Sequence, residues 1–417
     1  MVAEGLYHRA YTAHLGNGLR ILIEENPQSR SVSIGTWIAV GSRDDSTTNP
    51  GLAHFIEHLA FKGTATRDAA QISRAIDSVG GSLNAATGRE STVFYADVPS
   101  DGMSTALDLL ADLVLHPAFA SEKIDLERTV VLDEIRGHQD DPEAMAFDQF
   151  IAAVWGDDHP LSRPVLGTKR GIESVAESSI SDYHQRNYRP TRMVVAAAGA
   201  VDAETVINQV SARFGAVATE QVAGGERVAP QFRSERDHYH RTTGQTHIYL
   251  ALPGPATGDP DRYALEVVNV LLGDGTSSRL FRAVREDRGL AYSVGSTVMR
   301  YTDGGLWMLY AGTSPKLAPQ VRDLLERELV SLREQAPDEA EIALAKARLR
   351  GLFILGMESN ANRAMRLGTA AITGREIHAP DQVLARLEAV SSSDVKAVIE
   401  RFLQPERLHV TTVGPDL

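Results

Sequence analysis

Five consecutive residues, His54-Phe55-Ile56-Glu57-His58, hold two imidazoles and one carboxylate. At roughly 100° per helical residue, His54 and His58 lie one turn apart and Glu57 falls on the same side. Two neutral imidazoles at that spacing can bind one Zn²⁺, and the carboxylate between them can take a proton from a water that the cation polarises. The bland alternative is an amphipathic helix whose histidines are merely half-buried. That alternative leaves three polar groups crowded beside an apolar stripe, and burying them unpaired costs on the order of several kcal/mol.

The residues around the pentad predict the helix that positions it. Asn49-Pro50-Gly51 breaks the chain, Leu52, Phe55, Ile56 and Leu59 recur at helical spacing, and Lys62-Gly63-Thr64 ends the segment. A second helix is predicted from Ser121, read as its N-cap, to about Gly137, with Ile124, Leu126, Val130, Val131 and Ile135 as its apolar positions. Glu127 and Glu134 stand seven residues apart on nearly one face of it, with Val131 between them. Arg128 and Asp133 show that this helix also has a solvated face. Ionised carboxylates among Val and Ile are costly unless a cation compensates them. Glu134 completes a His₂Glu set with an open fourth position, as expected of a catalytic zinc.

The pentad, followed 76 residues after His58 by Glu134, resembles the pitrilysin-type zinc peptidases. The wording from Gly51 to Thr64, Gly-Leu-Ala-His-Phe-Ile-Glu-His-Leu-Ala-Phe-Lys-Gly-Thr, is most similar to the processing-peptidase branch and its bacterial relatives. The resemblance implies that His54, His58 and Glu134 bind Zn²⁺, one ion per chain, that Glu57 is the general base, and that Glu127 orients a ligand from behind.

Composition is that of a soluble globular chain. The chain has 417 residues, 43% hydrophobic and 23% charged, long enough for two or more domains. It has no cysteine, so disulfides and thiolate ligands are excluded. A net charge of -13 argues against nucleic-acid binding. No apolar run approaches a membrane span, and Met1-Val2-Ala3-Glu4-Gly5 lacks the layout of a secretory or transit signal. A cytoplasmic location is the expectation.

A linker is expected at 219–230, between a catalytic domain at 1–218 and a related domain at 231–417. Each half opens on a strand (Ser31–Ala39, Thr246–Leu252). Each then runs through a helix and Gly-Thr into a strand pair (Ser82–Val98, Leu290–Ala311), followed by further helices that include a long one starting at Ser121 or near Pro337. This order predicts an α+β fold used twice, with an antiparallel sheet as one layer and helices as the other. The family resemblance implies two such roll-like halves facing each other across a cavity. Aligning the halves puts Glu266, Asn269 and Val270 opposite His54, Glu57 and His58, and Ala345 and Leu352 opposite Glu127 and Glu134. Only the first half is expected to carry metal.

The second half is expected to grip substrate. Arg285 and Tyr292, in Arg285-Glu286-Asp287-Arg288-Gly289-Leu290-Ala291-Tyr292, match the family's C-terminal signature. An Arg fork can hold a peptide carbonyl and a Tyr hydroxyl can stabilise an oxyanion. Read without the family, the same run is a mixed-charge, solvated helix face. Gly80-Gly81-Ser82-Leu83-Asn84-Ala85-Ala86-Thr87 resembles the family's substrate-binding edge strand, with Asn84, Ala85 and Ala86 as the contact residues. Read alone, it is equally an ordinary hairpin strand. His116, His138 and His159 lack ligand spacing and are read as loop or surface residues.

The expected function is a zinc endopeptidase or oligopeptidase acting on peptides or unfolded polypeptides bound as an added strand. A homodimer, or a heterodimer with a related subunit, is expected. The alternative is a non-catalytic or partner-dependent peptide-binding subunit.

Overall fold

The computed structural model describes residues 3–4, 9–218 and 227–416. They form two compact units, and neither is a continuous stretch of chain. The first takes its described residues from Met1–Gly137, Arg163–Glu226 and Leu355–Asp381, the second from His138–Ser162, Arg227–Ile354 and Gln382–Leu417.

The first unit is built on a sheet of seven strands: β1 (Ala3–Glu4), β2 (Arg9–His14), β3 (Arg20–Glu25), β4 (Ser31–Ile38), β5 (Ser82–Thr87), β6 (Thr92–Pro99) and β7 (Met193–Gly199). Their order is β1-β2-β3-β7-β4-β6-β5, and every pairing is antiparallel except β3 with β7. The second unit has five strands: β8 (Arg236–His240), β9 (Thr246–Gly254), β10 (Ser293–Arg300), β11 (Gly305–Thr313) and β12 (His409–Gly414), ordered β10-β11-β9-β12-β8. Its one parallel pair is β12 with β8.

Counting from β3 in the first unit and from β8 in the second, both sheets run third-fourth-second-fifth-first, with the first and fifth strands parallel. The two halves are therefore the same α+β design, as the repeated pattern of strand and helix signals implied.

The layering is richer than the sequence suggested. β7 is buried at every position and β4 at all but its first, so the central strands need cover on both faces. On one face of the first sheet, the Leu52–Ala60 and Met103–Leu115 helices join a large core with Ile21, Ile34 and Val195. On the other face, Trp37, Val194, Ala196 and Ala198 pack against Ala364, Leu367 and Ala371 of the Asn360–Ile372 helix. A Cβ on Gly368 would lie 2.3 Å from the Trp37 indole, so only glycine permits this approach. Arg363 and Arg366 of the same helix reach the buried Glu24 of β3 at 2.5 and 2.8 Å.

The second sheet is covered in the same manner. Phe150, Ile151 and Val154 of the Pro142–Trp155 helix pack on Tyr249, Ala251 and Val413.

Each sheet thus takes one covering helix from the sequence of the other half. A clean division into 1–218 and 231–417 does not describe the compact units, because 138–162 and 355–381 are exchanged. Burial of a two-faced sheet is a tertiary demand that no local breaker residue announces. Of the expected linker, residues 219–226 lie outside the described residues.

Candidate metal centre

The pentad sits on the Leu52–Ala60 helix. Leu52, Phe55, Ile56 and Leu59 drive one face of this helix into the core of the first unit, which leaves its polar residues together on the other side. Gly51 caps it with φ 95°, and a Cβ there would lie 2.6 Å from the Leu166 carbonyl. Glycine offers no capping side chain, so the orphan amides are met from outside the helix. Asp45 Oδ2 accepts from Gly51 N at 2.8 Å and Oδ1 from Ala53 N at 3.0 Å. Tyr183 Oη donates to the same carboxylate at 3.0 Å.

The partner helix runs Ser121–Asp140 and buries Ile124, Glu127, Val131 and Ile135. Ser121 is its first helical residue and not its cap: Ala120 O receives Ile124 N, and the Ser121 hydroxyl donates to Glu177.

Tertiary packing brings His54, His58 and Glu134 together. The two Nε2 atoms are 3.2 Å apart, and Glu134 Oε2 lies 3.8 Å from that of His54 and 3.4 Å from that of His58. His54 is buried, and burial, reinforced by the nearby His58, pulls it down to about 4, so it is neutral at pH 7. Two imidazole nitrogens facing each other at this distance, with a carboxylate oxygen beside them, form an N₂O donor set that suits Zn²⁺.

Behind them, Glu127 Oε1 accepts from His58 Nδ1 at 2.8 Å, which fixes the tautomer and turns the Nε2 lone pair inward. Glu127 Oε2 receives Lys62 Nζ, also at 2.8 Å. His54 Nδ1 is buried without a partner among the described residues. Glu57 lies alongside, with Oε2 accepting from Thr87 Oγ1 at 2.5 Å. Burial raises the Glu57 carboxyl above the usual range, Thr87 opposes that rise, and the neighbouring Glu134 adds to it. A carboxylate made more basic in this way is suited to accept a proton.

Asn84, Ala85 and Ala86 lie on β5, the edge strand that ends at Thr87. Ala85 N is taken by Asn84 Oδ1 at 2.8 Å, so a side chain occupies an amide that an added strand would use.

Arg285 and Tyr292 are in the second unit, where they meet each other: Arg285 Nη1 donates to the Tyr292 carbonyl at 2.8 Å and its guanidinium lies 4.4 Å from the Tyr292 ring. Both line a cavity of 730 Å³ together with Asp141, Glu143, Tyr249 and Tyr310. Of the other histidines, His138 pairs with Asp148 at 2.7 Å and His159 Nε2 meets the Val228 carbonyl at 3.1 Å.

The second-unit residues aligned with His54, Glu57 and His58 do structural work. Glu266 pairs with Arg300 at 2.6 Å, Asn269 Oδ1 accepts from Trp307 Nε1 at 3.1 Å, and Val270 is core.

Comparison with known proteins agrees with this geometry. Residues 20–169 match the family model described as Insulinase (Peptidase family M16), and residues 174–349 match the Peptidase M16 inactive domain. An uncharacterized zinc protease of Mycobacterium tuberculosis (strain ATCC 25618 / H37Rv) is 40% identical over 408 residues, 96% of this chain and 92% of its own. The chain belongs to peptidase family M16. A second M16 relative, an uncharacterized zinc protease of Bacillus subtilis (strain 168), is 35% identical over 96% of this chain and 97% of its own. The M16 fold is shared with a protease from Helicobacter pylori at TM-score 0.92 and 21% identity, covering 98% of this chain and all (100%) of that one. A structure of the peptidase M16 inactive domain from Pseudomonas fluorescens matches at TM-score 0.91 and 21% identity, covering 98% of each chain. No helix among the described residues is long and apolar enough to cross a membrane.

Lys62, Thr87 and Asp45 serve this M16 site without having been singled out from sequence. Lys62 and Thr87 fall in the Gly51–Thr64 and Gly80–Thr87 stretches, where they read as helix-ending and strand residues. Only their packing partners reveal what they hold.

Proposed function

We propose that this chain is a zinc-dependent endopeptidase or oligopeptidase acting on peptides or unfolded polypeptides. The observation that carries the reading is the approach of His54 Nε2 and His58 Nε2 to 3.2 Å beside Glu134, with Glu57 on the same helix.

His54, His58 and Glu134 would hold the ion, which when bound supplies a Lewis acid that acidifies water and polarises a peptide carbonyl. Glu57 takes the proton of the attacking water and later delivers it to the leaving amide nitrogen. Thr87 keeps the Glu57 carboxylate oriented for both transfers. Because Thr87 ends β5, a peptide added along that edge through main-chain hydrogen bonds runs toward the base. Its docking displaces Asn84 Oδ1 from Ala85 N. In the second unit, Arg285 and Tyr292 are assigned to peptide binding, the guanidinium as a fork for a carbonyl and the hydroxyl as an oxyanion donor. Membership of the processing-peptidase branch, and a dimer with a copy or a related subunit, belong to the same proposal.

The test is cleavage of a quenched fluorescent peptide library by the wild type and Glu57→Gln, with zinc measured on both. Loss of cleavage in a variant that keeps its zinc supports the assignment. A wild type that binds no zinc overturns it. A wild type that holds zinc yet cleaves nothing favours the partner-dependent binding subunit.

A further inference from the structure

Three polar side chains of the second unit converge at a place that the proposed peptidase chemistry does not use: His238 and His240 on β8, and Asp416 beyond β12. β8 is the edge strand of its sheet, and residues two apart on it share a face. Asp416 Oδ1 lies 2.8 Å from His240 Nδ1 and 3.8 Å from His238 Nε2. One ligand atom from each residue lies within 4.8 Å of the others.

His238 is oriented from behind. The Thr412 hydroxyl gives its single proton to the Asp237 carbonyl at 3.2 Å, so its oxygen accepts from His238 Nδ1 at 2.9 Å. This fixes the tautomer with the Nε2 lone pair on the side of Asp416, the arrangement in which a histidine ligates. An exposed His240–Asp416 ion pair by itself would be worth little and would not need His238 held in that tautomer.

We propose that His238, His240 and Asp416 form a second binding site, distinct from the His54 centre, for a divalent transition cation of the zinc class. Two imidazole nitrogens and one carboxylate oxygen match that class, and the exposed position leaves room for water ligands. Binding ties Asp416, two residues past the end of β12, to the edge strand β8.

The experiment is titration of the full-length, metal-stripped protein with Zn²⁺ alone, read by calorimetry and by zinc content after dialysis. The wild type is expected to bind two ions. The His238→Ala/His240→Ala variant is expected to bind one, with peptide cleavage unchanged, and His58→Ala is expected to keep the β8 ion while losing the other. Thr412→Val, which keeps side-chain volume, is expected to weaken the β8 site by about tenfold. A wild type whose zinc binding is wholly abolished by His58→Ala overturns the proposal. So does a double variant that retains every zinc of the wild type. The His58→Ala arm reports separately on the His54 centre, so failure of one site is not mistaken for failure of the other.

Discussion

Lys62 Nζ and Glu127 Oε2 lie 2.8 Å apart, and the other oxygen of that carboxylate holds His58 Nδ1. Glu127 is 2% exposed, so its charge is stable there because a cation and an imidazole N–H satisfy it. The pair is a strut behind the proposed metal ligands. Glu127→Gln keeps the shape and loses the charge, and zinc affinity is expected to fall about 10–100-fold in chelator competition. Lys62→Met is expected to act in the same direction. Unchanged zinc affinity in both variants would show that the strut is only structural.

Asp45 stands in for the N-cap that Gly51 cannot provide. Asp45→Ala leaves two amides at the start of the Leu52–Ala60 helix unsatisfied and is expected to cost about 1–2 kcal/mol of stability. Thermal melts should show the loss, and zinc binding should weaken with it because the helix start carries His54. A variant melting with the wild type would remove Asp45 from this role.

Thr87 lowers a Glu57 carboxyl that burial raises. Thr87→Val deletes the hydrogen bond, so the Glu57 pKa rises further. The acidic limb of the kcat/KM profile is then expected to move to higher pH, with activity lost first below neutrality. Glu57→Gln is expected to lower kcat by about 10²–10⁴-fold at every pH. A Thr87→Val profile that scales down without moving would refute the assignment.

Two histidines of the first unit, His54 and His184, are pulled from 6.5 to about 4 mainly by burial. Between those values the unfolded chain binds more protons than the folded one, so stability rises with pH across the window and is lost as pH falls from about 6.5 toward 4. Each contributes on the order of 3 kcal/mol at most. Urea titrations of zinc-free protein at pH 7 and pH 4.5 should show the drop, and His184→Phe should make it shallower. A pH-independent stability would contradict the burial of these rings.

Gly368 lets its helix lie against Trp37. Gly368→Ala puts a methyl where the indole stands and is expected to cost about 1–3 kcal/mol, or several degrees in Tm, although alanine is the better helix former. An unchanged or raised Tm would mean that this contact is looser than described.

The convergence of the candidate metal residues was legible because helix geometry is local. His54, Glu57 and His58 share a face by spacing alone, and Glu127 and Glu134 repeat at two turns. The repeated order of strand and helix signals likewise pointed to one α+β design used twice. The Ser121 cap was misread because serine serves equally well as a first-turn residue, and only the backbone shows which carbonyl accepts the first helical amide.

What the sequence by itself determined is the candidate donor set and the class of fold, since both follow from periodicities of a few residues. The tertiary structure alone decided which side chains support the donors: Asp45 at the helix start, Lys62 behind Glu127, Thr87 beside Glu57. It also decided that the Pro142–Trp155 and Asn360–Ile372 helices change units. These are contacts between segments tens to hundreds of residues apart, set by the need to cover both faces of buried sheets and to satisfy every buried charge. No short-range pattern encodes that requirement.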